Sequence, residues 1–479
     1  MKSSTFAPRL RLSVAVVALA LLGGCASVTI EQTQDQVNED AASFTAGQLK
    51  LARSQADTEL NASVVQQLLD KPVTQDDAVR LALANSPAMQ ALLAQGWADS
   101  ADAARAGRIA NPIFAFERLR AGDEIDIGRS LSLGLLDVLT LPWRQGAARR
   151  QIERTQLRLS GEVIDQVVQV RSAWIKAVGA QQKLGYAQQV YDAAEATAEL
   201  ARRMQSVGNF NRLSRAREQA FYADAGTQLA SVSHQATSSR ESLVRLLGLT
   251  DEQAQKLKLP SRFPDLPKEP LSTQFVSERA SVSRLDVRLA QAELNVAGRE
   301  QGLSFVTSLT DVELTARRNT VFDKTGGRQA SPRGYEVAVS LPIFDWGGLQ
   351  RDAMNARTLA AANRLEATIR AVGSGLRESY SAYRTAYDIA RHHQDEVVPL
   401  RKVISEENQL RYNGMLIGVF ELIADARDQV STVVAAIDAQ EQFWLADAAL
   451  QASLIGRPTG TAIQAAQGSG SPTGGGGGH

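Results

Sequence analysis

Residues 336–348 read EVAVSLPIFDWGG. The first part alternates as a β-strand does, with Val337, Val339 and Leu341 on one side and Ala338 and Ser340 on the other. Pro342, Asp345 and the pair Gly347 and Gly348 stop the strand. A long run of helix formers follows, interrupted only by Pro399. Much earlier, residues 131–146 read LSLGLLDVLTLPWRQG and make the same switch at Pro142. A chain that turns from strand to long helix twice is built from two copies of one plan.

Working outward, residues 74–250 predict a helix, two strands, a very long helix, a glycine turn and a returning helix, and residues 276–457 repeat that order. Between them, residues 251–275 carry Pro260, Pro264, Pro267 and Pro270, so helix cannot run through the linker. Thr74, followed by Asp76 and Asp77, marks a capped, acidic helix start. In NPIFAFERL, Ile113, Ala115 and Glu117 alternate with Phe114 and Phe116, and in SLSLGLLDVL the residues Leu131, Leu133 and Leu135 share a face. Gly122, Asp123 and Gly128 between these runs fit a hairpin. The second copy has TDVELTARR, with Val312, Leu314 and Ala316 on one face, joined to YEVAVSL through the longer polar loop DKTGGRQASPRG.

The helices are unusually long. No proline lies between Trp143 and Leu259, and a helix over 143–207 would extend about 95 Å. Ile152, Leu159, Val163, Val167, Val170, Trp174 and Val178 recur at spacings of three, four and seven, a coiled-coil-like seam. Gly208 and Gly414 follow the long runs and are expected in the left-handed position that ends a helix. AREQ at 216–219 and ARDQ at 426–429 come next, so each long helix is expected to return beside itself.

Composition bounds the function. The chain has 479 residues with 52 Lys+Arg against 52 Asp+Glu, a balance that offers nucleic acid no concentrated basic surface. At the N-terminus, Lys2, Arg9 and Arg11 precede an apolar run over 12–22, the size of a signal-peptide core and too short to span a bilayer. That run ends in Leu22, Gly23, Gly24 and Cys25, which resembles the lipobox of bacterial lipoproteins, where the cysteine thiol takes a diacylglyceryl group. Cys25 is the only cysteine, which excludes a disulfide within the chain and a thiolate metal cluster. Ala26 after it resembles the outer-membrane sorting rule of such lipoproteins. The reading therefore sets a signal peptide at 1–24, a lipid-anchored segment at 25–73, and a Gly-rich tail at 458–479 with little to bury, expected to be disordered.

The motifs LANSPAMQALLAQ, NPIFAFERL, VSLPIFDWGGLQRDAMNAR, VVPLRK and RYNGMLIGVFELIADARDQ, in order over two tandem copies, resemble the TolC-type outer-membrane efflux proteins. Cys25 resembles the lipid-anchored branch of that family. The resemblance implies a mainly α fold with a membrane β-barrel portion: a homotrimer whose twelve-stranded β-barrel continues into a twelve-helix α-barrel in the periplasm. Its expected partners are a periplasmic adaptor, an inner-membrane pump and outer-membrane lipid, with no nucleic acid. Barrel closure argues independently for oligomers. Four strands per chain leave open edges, two chains give a side-chain-filled barrel, and three give the first one wide enough to pass solutes. Arg118, Arg120, Arg317 and Arg318 lie near strand ends and suit the membrane rim.

No enzyme site emerges. The histidines His234, His392, His393 and His479 have no metal-ligand spacing, and the sequence lacks a phosphate loop and a nucleophile elbow, so no metal or cofactor is expected beyond the lipid on Cys25. The candidate functional residues are Glu421, Asp425 and Asp428, one stripe of the second returning helix. The resemblance implies that acidic residues here line a periplasmic entrance. Glu421 matches that pattern, whereas Asp425 stands one residue beyond the second acidic position, which Ala424 occupies. Arg212 and Arg215 in copy one are the expected partners of Glu421 or Asp425. Gly208, Gly414, Pro142 and Pro342 set turns and strand-to-helix junctions. A passive exit duct is the expected function; a periplasmic lipoprotein adaptor or a structural coiled-coil protein is the alternative.

Overall fold

The computed structural model describes residues 29–122, 124–280, 284–307, 312–322, 328–341 and 343–458. Leu22, Gly23, Gly24 and Cys25, together with Pro342 and the tail from residue 459, lie outside the described residues. In chain order the elements are α1 (Ile30–Asp40), α2 (Ala42–Thr45), α3 (Gln55–Leu69), α4 (Gln75–Asn85), α5 (Pro87–Ala106), β1 (Ile113–Ala121), β2 (Glu124–Gly134), α6 (Leu135–Leu139), α7 (Leu141–Ser206), α8 (Arg212–Leu247), α9 (Asp251–Lys256), α10 (Thr273–Ala280), α11 (Leu285–Thr307), β3 (Val312–Phe322), β4 (Arg328–Ala330), β5 (Arg333–Val339), α12 (Gly348–His392), a π-helical turn (His393–Val397), α13 (Val398–Asn413) and α14 (Val419–Leu454). The chain is mainly helical and carries the expected order twice. Among the described residues no helix is long and apolar enough to cross a membrane.

Two compact units form, and neither coincides with a sequence copy. Of the described residues, the first takes 29–51, Gln90–Val163 and Leu285–Ala371; the second takes Ala52–Met89, Ile164–Arg284 and 372–458.

The first unit holds the sheet. β1 and β2 form a hairpin, β2 pairs antiparallel with β3, and β3 pairs with both β4 and β5. β4 and β5 behave as one interrupted strand along β3. Pro332 sits in the gap without an N–H to give, and its carbonyl instead accepts from Asn319 N at 2.9 Å. β4 forms part of the stretch expected to be only loop. A second difference lies at Leu135, which belongs to α6 and not to β2. The strand stops at Gly134, and Asp137 on the new helix accepts from Arg144 Nη1 at 2.7 Å. Pro142 falls in the first turn of α7, where its missing N–H has no partner to lose. In the second copy the break after β5 is held by Asp345, whose carboxylate accepts from Gly347 N at 2.8 Å, with Gly347 at φ +70°.

The N-terminal segment is part of the same unit. Thr29 and Gln32 form a reciprocal capping box at the start of α1. At its other end the nearly buried Asp40 accepts from Arg288 Nη1 at 2.7 Å and from Ser160 Oγ at 3.3 Å, tying the segment to α11 and α7. Gly96 lets α5 approach α7 closely, since a Cβ there would lie 2.5 Å from Leu159 Cδ2.

The second unit packs on aromatic residues. Phe443 of α14 lies 5.6 Å from Tyr383 and 5.7 Å from Tyr387, ring to ring, within a cluster that includes Leu266, Val276 and Leu450. The hydroxyls of this face also hold the linker. Tyr383 Oη accepts from Leu271 N at 3.1 Å, Tyr380 Oη donates to Leu271 O at 3.1 Å, and Tyr387 Oη donates to Pro267 O at 3.0 Å. Elsewhere Trp174 Nε1 donates to Val73 O at 2.8 Å. Gly248, at φ +67°, ends α8 so close to α5 that a Cβ would lie 2.4 Å from Pro87 Cδ. Every residue of the expected α7 seam, from Ile152 to Val178, is buried. Pro399 does not end its helix: the chain takes the π-helical turn just before it and then continues.

Candidate functional site

Two surfaces carry the candidate chemistry, one in each unit. In the second unit the long helices reverse through turns that share one hydrogen-bond pattern. Gly208 N donates to Gln205 O and Asn209 N to Met204 O, at 3.0 and 2.9 Å. Met415 N donates to Tyr412 O and Leu416 N to Arg411 O, at 2.9 and 2.8 Å. Both are Schellman turns, and the residue in the left-handed position is Gly208 in one copy and Met415 in the other, at φ +82° and +56°. Gly414 therefore does not play the expected part. Its φ is −81°, because α13 runs one residue further before its hydrogen bonds close.

Matching the turns by their bonds aligns the returning helices. Asn211 caps α8, its side chain accepting from Ser214 N at 2.7 Å, and Gly418 stands at the same place before α14. Both helices have 36 residues, so their whole lengths correspond. Under that alignment Glu218 corresponds to Asp425, and both are buried, at 6% and 7% exposure. The AREQ and ARDQ motifs, similar in sequence, are not equivalent in this frame.

Charge pairing differs from the expected scheme. Asp425 lies 3.9 Å from Arg401 Nη1 on α13, and Arg401 Nη2 also binds the exposed Asp428. Glu218 accepts from Arg427 Nη2 at 3.0 Å, and the Arg427 guanidinium lies over the Phe221 ring at 3.3 Å. Arg215 instead donates to Gln205 at 2.6 Å, and Arg212 and Glu421 are exposed. Among the described residues no ion pair within the chain joins Arg212 or Arg215 to Glu421 or Asp425. In the pair that joins the copies, Glu218 with Arg427, the acid comes from copy one and the base from copy two, the reverse of the expectation. The pairing is incomplete: Asp425 Oδ2, Arg401 Nε and Arg427 Nε are buried without a hydrogen-bond partner. Phe210 and Phe420 stack at 4.6 Å between the two hairpins, while Val207, Leu213, Met415 and Leu416 stand exposed around the turns.

The second surface is the sheet. Its register places Phe114, Leu131, Ala316 and Tyr335 in one transverse row and Leu133, Leu314 and Val337 in the next, all on one face. The opposite face carries Glu117, Asp126, Ser130, Asn319 and Glu336, with Ile113, Leu119 and Val321 as its larger apolar exceptions. On it Asn319 Nδ2 donates to Asp126 Oδ2 at 2.9 Å and Arg317 meets Glu336 at 3.9 Å. The apolar face is exposed in the chain, as are Leu139, Trp143, Leu341, Ile343, Phe344 and Trp346 where the sheet gives way to helices. Contiguous exposure on this scale marks a surface that something else covers.

Among the described residues no three His, Cys, Asp or Glu side chains converge as a metal group. His392 bonds Glu396 at 3.2 Å, and burial lowers the pKa of its neighbour His393.

No protein-family model matches the chain, and no curated protein matches it. Solved structures do. A membrane protein from Pseudomonas aeruginosa shares 19% identity over 82% of this chain and 93% of its own, with a TM-score of 0.66. The Campylobacter jejuni CmeC outer membrane channel shares 12% identity over 90% of this chain and 89% of its own, with a TM-score of 0.62. The open state of the Neisseria gonorrhoeae MtrE outer membrane channel shares 18% identity over 83% and 91%, with a TM-score of 0.62. At such identities the likeness establishes the fold.

Proposed function

We propose, from the TolC-type outer-membrane channel fold that this chain adopts, that it is the exit duct of a tripartite efflux or secretion system. Three copies close a twelve-stranded barrel in the outer membrane and extend a twelve-helix barrel into the periplasm. The observation that carries this reading is the two-faced sheet, one side apolar and exposed, the other polar, with edge strands that find no outer partner among the described residues. Membranes tolerate no open edge, so sister copies must complete the sheet, with the polar face lining the passage. Exposed Trp143, Phe344 and Trp346 supply the aromatic girdle such barrels place at the membrane surface.

Transport is passive, and the energy comes from partners. The exposed apolar residues around both helix turns suit docking of a periplasmic adaptor, which links the duct to an inner-membrane pump. The buried carboxylates Glu218 and Asp425, each held by an arginine, tie the returning helices near those turns and keep the entrance closed at rest. Glu421 and Asp428, repeated threefold, favour cations at the entrance. A diacylglyceryl group on Cys25 adds a second attachment to the outer membrane. Purified full-length protein should run as a heat-resistant trimer in detergent and form pores in planar bilayers. A monomer that stays in water and conducts nothing, once its acylated end is removed, would reject the reading.

A further inference from the structure

The apolar face of the sheet changes character toward the β1–β2 turn. Phe116, Arg129, Arg318 and Arg333 are successive cross-strand partners, so three arginines stand side by side on that face. Arg118 and Arg120 of β1 occupy the next two rows, opposite Ile127 and Ile125. All five are exposed, and among the described residues none makes an ion pair or side-chain hydrogen bond. Among the described residues the ion pair of these strands joins Arg317 and Glu336, on the other face. Like charges set directly opposite repel and weaken a sheet, so the row fits a structure in which an anion lies across it.

Its height points to the anion. From Arg333 to Leu341 the chain covers roughly 26 Å along the strand, or about 20 Å of height at barrel tilt, close to the apolar band of an outer-membrane barrel. Arginine facing lipid is costly at mid-depth and tolerated near the surface. The row therefore sits where acyl chains give way to headgroups, on the side away from the helices.

We propose that Arg129, Arg318 and Arg333, flanked by Arg118 and Arg120, bind the phosphate groups of a phosphorylated lipid headgroup in the leaflet at the turn end of the barrel. The planar guanidinium matches phosphate in a bidentate fashion, and three in a row span more than one phosphate. The apolar rows below meet the same lipid's acyl chains, which makes a membrane lipid, and not free phosphate, the occupant. This inference rests on the membrane reading of the sheet.

The test uses the full chain reconstituted in phosphatidylcholine vesicles with and without diphosphorylated lipid A, extracted gently and analysed by native mass spectrometry. Wild type and Arg317→Gln should retain the phosphorylated lipid. R129Q/R318Q/R333Q should lose roughly tenfold of it while conducting like wild type. Equal retention by the triple variant, retention of dephosphorylated lipid A by wild type, or release of the lipid by inorganic phosphate at equal concentration would each overturn the site. If wild type conducts and the triple variant keeps its lipid, the lipid site alone falls. If wild type neither inserts nor conducts, the channel reading falls and takes the site with it.

Discussion

Glu218 and Asp425 hold the same place in the two returning helices: each lies seven residues past its helix cap, each is buried, and each meets an arginine from the second copy. Internal repetition has placed two buried carboxylates near the turns, and the second copy alone supplies their counter-charges. The arrangement is lopsided, because Arg427 reaches across to copy one whereas Arg401 serves its own hairpin.

Arg427→Met should leave the Glu218 carboxylate buried and unpaired, and cost about 3 kcal/mol in a urea titration of the detergent-solubilised protein. Changing Glu218→Leu in the same chain should recover most of that loss, since a buried pair replaced by apolar groups is nearly neutral. Single-channel recordings of Arg427→Met should show a larger open fraction. Gating identical to wild type would separate this pair from the entrance.

Met415 takes a left-handed conformation that glycine adopts without strain. Met415→Gly should raise the thermal midpoint by the equivalent of about 1 kcal/mol, and Gly208→Ala should lower it by a similar amount. Circular dichroism melts of the two variants read both signs directly.

Asp447 on α14 accepts from Gln451 Nε2 at 2.6 Å, and burial pushes its pKa up to about 6 from the ordinary value of 3.8. A raised carboxyl pKa means that the folded state favours the proton. Its contribution to stability is full below about pH 4, is lost as pH rises through about 6, and stays lost above, a change of about 2–3 kcal/mol. Asp447→Asn should remove that slope and be the more stable protein at neutral pH. Denaturant midpoints at pH 4.5 and 7.5 test it.

Phe344 is fully exposed and Trp346 about two-thirds exposed, at 66%, in the single chain. Bromine placed near the headgroups of reconstituting lipid should quench the fluorescence of Trp143 and Trp346 strongly. Bromine at the acyl-chain ends should quench it weakly. Trp97, Trp174 and Trp444, all on helices away from the sheet-to-helix junctions, supply the remaining signal, and Trp174, buried against Val73, is indifferent to both.

Much of this fold was legible because it depends on period. The α7 seam repeats every three or four residues and every member is buried; the strands alternate, and those of each copy pair antiparallel as the hairpins read. What periodicity cannot supply is register between distant segments. Arg427 and Glu218 lie 209 residues apart, and nothing local distinguishes Arg427 from Arg212 as a partner. The turn at Gly414 failed for a subtler reason: a glycine marks the neighbourhood of a helix end, but hydrogen-bond closure decides which residue turns left-handed. Some missed features did carry signals. Thr29 followed by Gln32 is a capping-box pattern, and Tyr380, Tyr383 and Tyr387 fall on one helical face.

Those three tyrosines alter what the stretch between the copies is. A proline-rich connector joining two similar halves is ordinarily where a protease first nicks a native chain, because its backbone can be drawn into an extended grip. Here the carbonyls of Pro267 and Leu271 and the amide of Leu271 are already held by phenol hydroxyls. Limited digestion should spare the seam, and the halves should not come apart as separate fragments.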